Sequence, residues 1–206
     1  MGNIRAVPDV PAEPDMEALP ESRTTLRTHL AAAAGTAVCY FIFYTVNEWL
    51  FRQTQFTEGI AWIYLPAGIR LICTLLFAEA GCAGLLVGSL LTASTYRLFP
   101  HDPVTAAGYC LISAAAPYLA YRFTLSGMDL GRTLVNLTTT RLMACILLYA
   151  LTNPLFQLIW FVMRGVYPDF WSGLIVMSIG DLGGSLIVVY LFRFLLSFLP
   201  LPRRRP

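Results

Sequence analysis

An all-α, polytopic bundle of about six membrane-spanning helices is the fold class that this sequence predicts, and three observations predict it. Hydrophobic residues make up 57% of the 206 residues and charged residues only 13%, where an ordinary soluble domain carries about 25% charged residues. The shortfall is concentrated between Leu30 and Leu199, where apolar runs follow one another with few breaks, and the mean hydropathy is +0.64. The arginines, which supply every basic charge apart from two histidines, gather in alternate connections.

A spanning helix needs about 20 mostly apolar residues to cross a hydrocarbon layer about 30 Å thick. The first span is expected at Leu30 to Phe51. Before it, residues 1–28 are rich in Pro and acids and lack apolar periodicity, the composition of a disordered cytoplasmic tail. Their order of charged and apolar stretches is not that of a signal peptide. The second apolar stretch runs from Ile60 to Ala78 and contains Leu65-Pro66-Ala67-Gly68. Pro66 disfavours helix at the residue before it and suits the first turn of a helix. A re-entrant or broken entry is therefore expected, followed by a short helix that ends at Glu79 to Gly81.

The third and fourth spans, Gly81 to Leu98 and Val104 to Tyr121, are rich in small residues and separated by a loop with two prolines. The fifth, Leu134 to Met163, is longer than a bilayer needs and is expected to tilt or to kink at Pro154. The sixth runs from Phe170 to Leu199. The transmembrane domain is thus bounded at 29–200, and a basic cytoplasmic end, 201–206, follows. With both termini on the cytoplasmic side, the inner segments hold eight arginines (Arg5, Arg23, Arg27, Arg122, Arg132 and Arg203 to Arg205). The outer loops hold three, Arg52, Arg97 and Arg164. This is the bias of the positive-inside rule, and it favours six spans with both ends inside.

Ionisable side chains within spans are costly in lipid and point to function. Arg70 lies one turn into the helix after Pro66, and Asp181 lies in the middle of the last span between glycines. A guanidinium and a carboxylate pair in a fork, so Arg70 and Asp181 are candidate partners. They line a polar pocket or form a structural clip between helices; the sequence leaves both readings open. Trp62 and Tyr64, just before the broken entry, are candidates for stacking on a ligand, although an interfacial aromatic belt explains them equally. Glu48 and Arg141 sit close enough to span ends to reach an interface by snorkelling. Gly84 with Gly88, and Gly180 with Gly184, have the spacing that lets helix backbones approach closely.

No metalloprotease, nucleophile-elbow or phosphate-loop motif occurs, so enzymatic activity is not expected. Five dispersed cysteines without CxxC spacing and two histidines suggest neither a metal site nor a disulfide framework. No cofactor is expected. The formal charge of +2 gives no reason to expect nucleic acid.

Two stretches resemble the membrane-associated sensor (MASE) family, multi-span input modules of bacterial histidine kinases and diguanylate cyclases. One is Trp62 to Leu91, an aromatic, a Pro, then Ala-Gly-Ile, a Leu-rich helix and a Gly-rich helix. The other is Phe170 to Phe192, a helix with a Gly-Asp pair followed by Gly and an apolar run. Pro66, Gly68, Gly88, Gly180, Asp181 and Gly184 are the matching positions. Arg70 departs from the pattern, standing where an apolar residue is expected, and only seven residues follow Leu199.

The resemblance implies a stand-alone sensor-like unit of a bacterial inner membrane. It would recognise a small ligand or a membrane condition near Trp62, Tyr64, Pro66, Arg70 and Asp181 and signal to a kinase, cyclase or transporter partner subunit. A small-solute transporter, or a substrate-binding subunit of one, is the alternative, and a structural or assembly subunit the second. Homo-oligomerisation is left open.

Overall fold

The computed structural model describes residues 21–127 and 139–198. The first twenty residues of the expected tail, the basic end 201–206, and 134–138 of the expected fifth span lie outside the described residues. Among the described residues the protein is all-helical apart from one short hairpin. Five helices, α1 (Glu21–Phe51), α2 (Pro66–Thr95), α3 (Pro103–Gly127), α4 (Thr139–Met163) and α5 (Phe170–Ser197), run through it. All five are long and apolar enough to cross a membrane. Two strands, β1 (Gln55–Thr57) and β2 (Ile60–Ala61), pair antiparallel between α1 and α2.

The distribution of polarity is that of a protein dissolved in lipid. Large apolar side chains such as Ile42, Leu111, Leu147 and Ile175 face outward, while Asn47, Arg70, Asn153, Gln157 and Asp181 are buried. In water this arrangement would leave apolar surface exposed all round the bundle. In a bilayer it satisfies the solvent outside and lets the polar groups meet inside.

Helix α1 starts earlier than the tail boundary expected at residue 28. No Pro or Gly lies between Pro20 and Gly35, so nothing breaks the helix once the last proline of the tail is passed. The second and third apolar stretches, expected as two helices broken at Glu79 to Gly81, run on without a loop as one element, α2, which turns at Ala78 (φ 46°, ψ −112°). A straight helix would separate Cys73 from Gly81 by about 12 Å. Instead a Cβ on Gly81 would lie 2.5 Å from the Cys73 carbonyl oxygen, so the chain folds back on itself. Arm 66–77 descends and arm 79–95 returns beside it.

Neighbouring contacts fix the directions. Asn47 near the end of α1 accepts a hydrogen bond from the Leu65 amide (2.9 Å), and Tyr40, earlier in α1, meets Arg70. The descending arm is therefore antiparallel to α1. Gly84 lies against Ala33 and Thr36, and Gly88 against Ala37 and Tyr40, so the returning arm is parallel to α1.

Before α2, residues 60–64 enter the bundle in a non-helical conformation, whereas Leu65, where Pro66 was expected to disfavour helix, already has helical dihedrals (φ −56°, ψ −36°). Their backbone is satisfied by protein: the Trp62 amide donates to the Thr54 carbonyl (3.1 Å), Tyr64 to Gly180 (3.2 Å) and Leu65 to Asn47. Irregular backbone at membrane depth is tolerated only when buried in this way. The close approach to α5 requires Gly180 and Gly184, where a Cβ would run into the carbonyl oxygens of Ala61 and Tyr64.

At the end of the bundle that carries the hairpin, Asp102 starts α3. It accepts from the Thr105 amide (3.0 Å) and hydroxyl (2.6 Å), and Arg164 beyond α4 donates to both of its oxygens (2.9 and 2.8 Å). The Thr105 bonds first, then Arg164, hold the Asp102 carboxyl down at about 2. Asp169 caps α5 through Ser172 in the same way.

Two predictions follow from this packing. Gly184→Ala should destabilise the protein by about 1–3 kcal/mol, the usual cost of overpacking, whereas Gly183→Ala, with open space at its Cβ, should be close to neutral. Thermal unfolding in nanodiscs compares them. The Asp102 carboxyl should titrate near 2 by carbon NMR, and Thr105→Val should move the midpoint up towards the ordinary value of about 3.9. Because the folded value is depressed, the stabilisation from this cap is complete above the ordinary value and is lost as pH falls through about 2.

Candidate functional site

The centre of the bundle is built around Arg70. One turn into the descending arm, it is 2% exposed, and the first turn that carries it is set by Pro66, itself buried. Around the guanidinium stand tyrosines from four different elements: Tyr40 of α1, Tyr64 of the non-helical segment, Tyr109 of α3 and Tyr149 of α4. Arg70 Nη2 donates to the Tyr40 hydroxyl at 2.6 Å and to the Tyr64 hydroxyl at 2.9 Å. The guanidinium carbon also lies 5.1 Å from the centroids of both rings, within cation–π range. The Tyr64 hydroxyl meets those of Tyr40 (3.2 Å) and Tyr109 (3.1 Å). Tyr64 is thus the hub of the cluster.

Opposite this cluster, Asp181 of α5 accepts a 2.6 Å hydrogen bond from the side-chain amide of Asn153 on α4. Gln157, one turn further along α4, is buried beside them. Arg70, Asp181, Asn153, Gln157, Tyr64 and Tyr109 surround one cavity of about 10 Å³, which Met177 of α5 and Gly59 and Ala61 of the hairpin complete. That volume suits about one water-sized molecule. Arg70 Nε, Asn153 Oδ1, both polar atoms of Gln157 and the Tyr149 hydroxyl make no hydrogen bond within the protein. Buried polar groups are nearly always paired, so five unpaired atoms in one small region form the polar chemistry of a site.

Arg70 and Asp181, the two spanning charges expected to meet, share this cavity without forming an ion pair: their charged atoms stay more than 4.0 Å apart. The guanidinium is engaged by tyrosine oxygens and ring faces, and the carboxylate by Asn153. Of the other residues singled out in the sequence, Tyr64 lies at the centre and Pro66 positions α2 from behind. Trp62 is half-exposed, packs edge-on against Phe56 and does not line the cavity. Glu48 lines a separate open cleft with Arg52, Glu58, Tyr44 and Tyr96. Arg141 lies in the first turn of α4, half-buried. The five cysteines are unpaired, and among the described residues no group of three His, Cys, Asp or Glu converges.

Sequence reasoning missed Asn153 and Gln157. Their signal is present: two neutral polar residues four apart in an apolar span share one helix face. A search confined to charged residues passes over them. Tyr40, Tyr109 and Tyr149 carry no signal that separates them from apolar filler.

The hydroxyls differ in what their removal costs. Tyr64→Phe strands an Arg70 donor in the interior and should destabilise by about 1–3 kcal/mol, the penalty for an unsatisfied buried group. Tyr149→Phe removes a hydroxyl that stands beside Arg70 without a well-aligned hydrogen bond and should cost less. Unfolding of both variants in nanodiscs reads the difference; equal costs would contradict the network described.

No family model matches this chain, and no curated protein or solved structure does either, so the chemistry of its own residues must carry the functional conclusion.

Proposed function

We propose that this chain is a sensor-like module of a bacterial inner membrane, which recognises a small polar ligand at the bundle centre and signals to a partner subunit. The observation that carries the proposal is the convergence of unpaired, buried polar atoms of Arg70, Asn153 and Gln157 on one cavity beside Asp181. A clip that served only to fix helix packing gains nothing from leaving such atoms unpaired, because each costs about 1–3 kcal/mol. A small ligand that pairs with these atoms, above all with the Arg70 Nε–H and Gln157 amide donors, recovers part of that cost on binding.

Six membrane crossings with both termini cytoplasmic agree with this reading. The two arms of α2 run in opposite directions, the first completed by residues 60–65, and the arginine bias places the hairpin end outside. The cavity then lies on the side of the outer face, beneath Gly59 and Ala61. The resemblance of Trp62 to Leu91 and of Phe170 to Phe192 to membrane-associated sensor modules supports the same function. Of the six residues that give it, Gly68, Gly180 and Gly184 let the non-helical segment and arm 66–77 lie against α5, and Gly88 lets arm 79–95 lie against α1.

A thermal-shift panel in nanodiscs tests the proposal, with fluoride, chloride, ammonium, urea and methanol as probes. At least one should raise the unfolding midpoint of the wild type but not of Gln157→Leu. A ligand at a hundred times its Kd stabilises by about 2.7 kcal/mol, a shift of a few degrees. If no probe distinguishes the two proteins, the cluster is structural. If the active probe also accumulates in proteoliposomes, the chain is a transporter.

A further inference from the structure

We propose that the central cavity binds a water-sized monovalent anion together with one proton, the proton residing on Asp181. The inference rests on the recognition site proposed above and names its ligand class.

Charge decides between classes of ligand. Arg70 keeps its proton in any protein environment, whereas Asp181 is able to take one up. The groups facing Asp181 come from every element around it: Arg70 from α2, Tyr64 from the non-helical segment, Tyr109 from α3, and Tyr149, Asn153 and Gln157 from α4. None is a second carboxylate, a histidine or a lysine. The cluster therefore carries a net charge of zero with Asp181 ionised and of +1 with Asp181 protonated. It is never negative at neutral pH, so no state calls for a cation. The neutral state suits water. The positive state leaves an uncompensated guanidinium in a low-dielectric interior, where an isolated charge is expensive, and an anion restores neutrality.

The hydrogen inventory agrees. Of the five guanidinium hydrogens, the two on Arg70 Nη2 go to Tyr40 and Tyr64, the two on Nη1 lie among the remaining tyrosines, Tyr109 and Tyr149, and Nε–H makes no bond. The Tyr40, Tyr64 and Tyr109 hydroxyls share two contacts. These consume two of three hydroxyl hydrogens and leave one over. Tyr64 and Tyr109 both line the cavity and are able to present it. The Gln157 amide adds an unpaired donor from α4. Protonated Asp181 adds another, and its conversion from acceptor to donor removes the one formal negative charge that would repel the ligand. Proton and anion thus enter as a neutral pair: the carboxylate oxygen takes a proton from solvent, the anion replaces water beside Arg70, and no net charge is buried.

Size narrows the class further. A cavity of about 10 Å³ admits a fluoride ion in place of a water and a chloride ion after slight widening. It excludes sulfate, phosphate and carboxylates.

The test is binding of radiolabelled chloride, with fluoride and sulfate as competitors, to the full chain in nanodiscs from pH 5 to pH 8. Saturable binding should weaken about tenfold per pH unit once Asp181 is ionised in the free protein. Fluoride should compete and sulfate should not. Asp181→Asn, which mimics the protonated state, should bind at pH 8 as the wild type does at pH 5, with the pH dependence gone. If that variant fails to fold, Gln157→Leu serves instead: it should weaken binding at least tenfold at every pH and keep the wild-type slope. Absence of saturable chloride binding and of fluoride binding at pH 5, pH-independent wild-type binding, or competition by sulfate would each overturn the proposal. If ammonium, urea or methanol still stabilises the wild type but not Gln157→Leu, the recognition site stands and only the anion assignment falls. If no probe does so, both fall.

Discussion

A guanidinium that cannot shed its charge, held at the centre of apolar helices, constrains the rest of this fold. Arg70 is buried where a bare ion would cost several kcal/mol even after relaxation. The carboxylate nearest in kind, Asp181, does not reach it. Compensation comes instead from the hydroxyl oxygens of Tyr40 and Tyr64 and from their ring faces. These partners arrive from α1 and from the segment before α2, and Tyr109 and Tyr149 extend the shell to α3 and α4. Every element packed around the centre contributes a group that Arg70 or its neighbours require. The charge therefore ties together helices that lipid alone would leave indifferent to one another, since apolar surfaces gain little from pairing in an apolar solvent.

Bringing Tyr64 to that centre demands an irregular backbone inside the bundle, and the glycines make it possible. Residues 60–65 lie against Gly180 and Gly184, and the arm they lead into turns back at Ala78 with Gly81 tucked beside Cys73. The same glycines place Asp181 at the level of the non-helical segment. Position 181 is thus opposite the cavity because its neighbours on α5 are small enough for another backbone to lie there. Packing and polar chemistry are two consequences of one short sequence, Gly180-Asp181-Leu182-Gly183-Gly184.

Much of this was readable before any coordinates. The apolar runs and the interruption at Pro66 give the all-helical membrane class and the break before α2, because lipid imposes length and composition directly. Arg70 and Asp181 stand out for the same reason. What the sequence does not disclose is who faces whom. The expected Arg70–Asp181 fork depends on two side chains meeting across α2 and α5, and the structure spends both on closer partners. Two tyrosines among ten, Tyr40 and Tyr109, join the network only through the register of α1 and α3, which apolar composition leaves undetermined. Asn153 and Gln157 were legible as a polar pair on one face, yet their importance comes from lying across from Asp181. The start of α1 at Glu21 shows the opposite limit: helix continues past the span because no breaker stops it, and hydropathy marks only where lipid begins.

The separation of Arg70 from Asp181 bears most directly on what the bundle does. A tight ion pair would be a closed device: both charges satisfied, the cavity filled, and protonation of Asp181 opposed by the full attraction of its partner. Two charges facing one small cavity from opposite sides are different. Each is stabilised by its own neutral hydrogen-bonding shell, so a change in the charge of one does not dismantle the other. The tyrosine shell keeps Arg70 in place whether Asp181 is ionised or not, but supplies no counter-charge, while Asn153 and Gln157 have amides that either donate or accept. On the proposed reading the bundle centre exists in two charge states with one architecture, a property of no use to a purely structural clip and one that a site whose occupancy alters its surroundings requires.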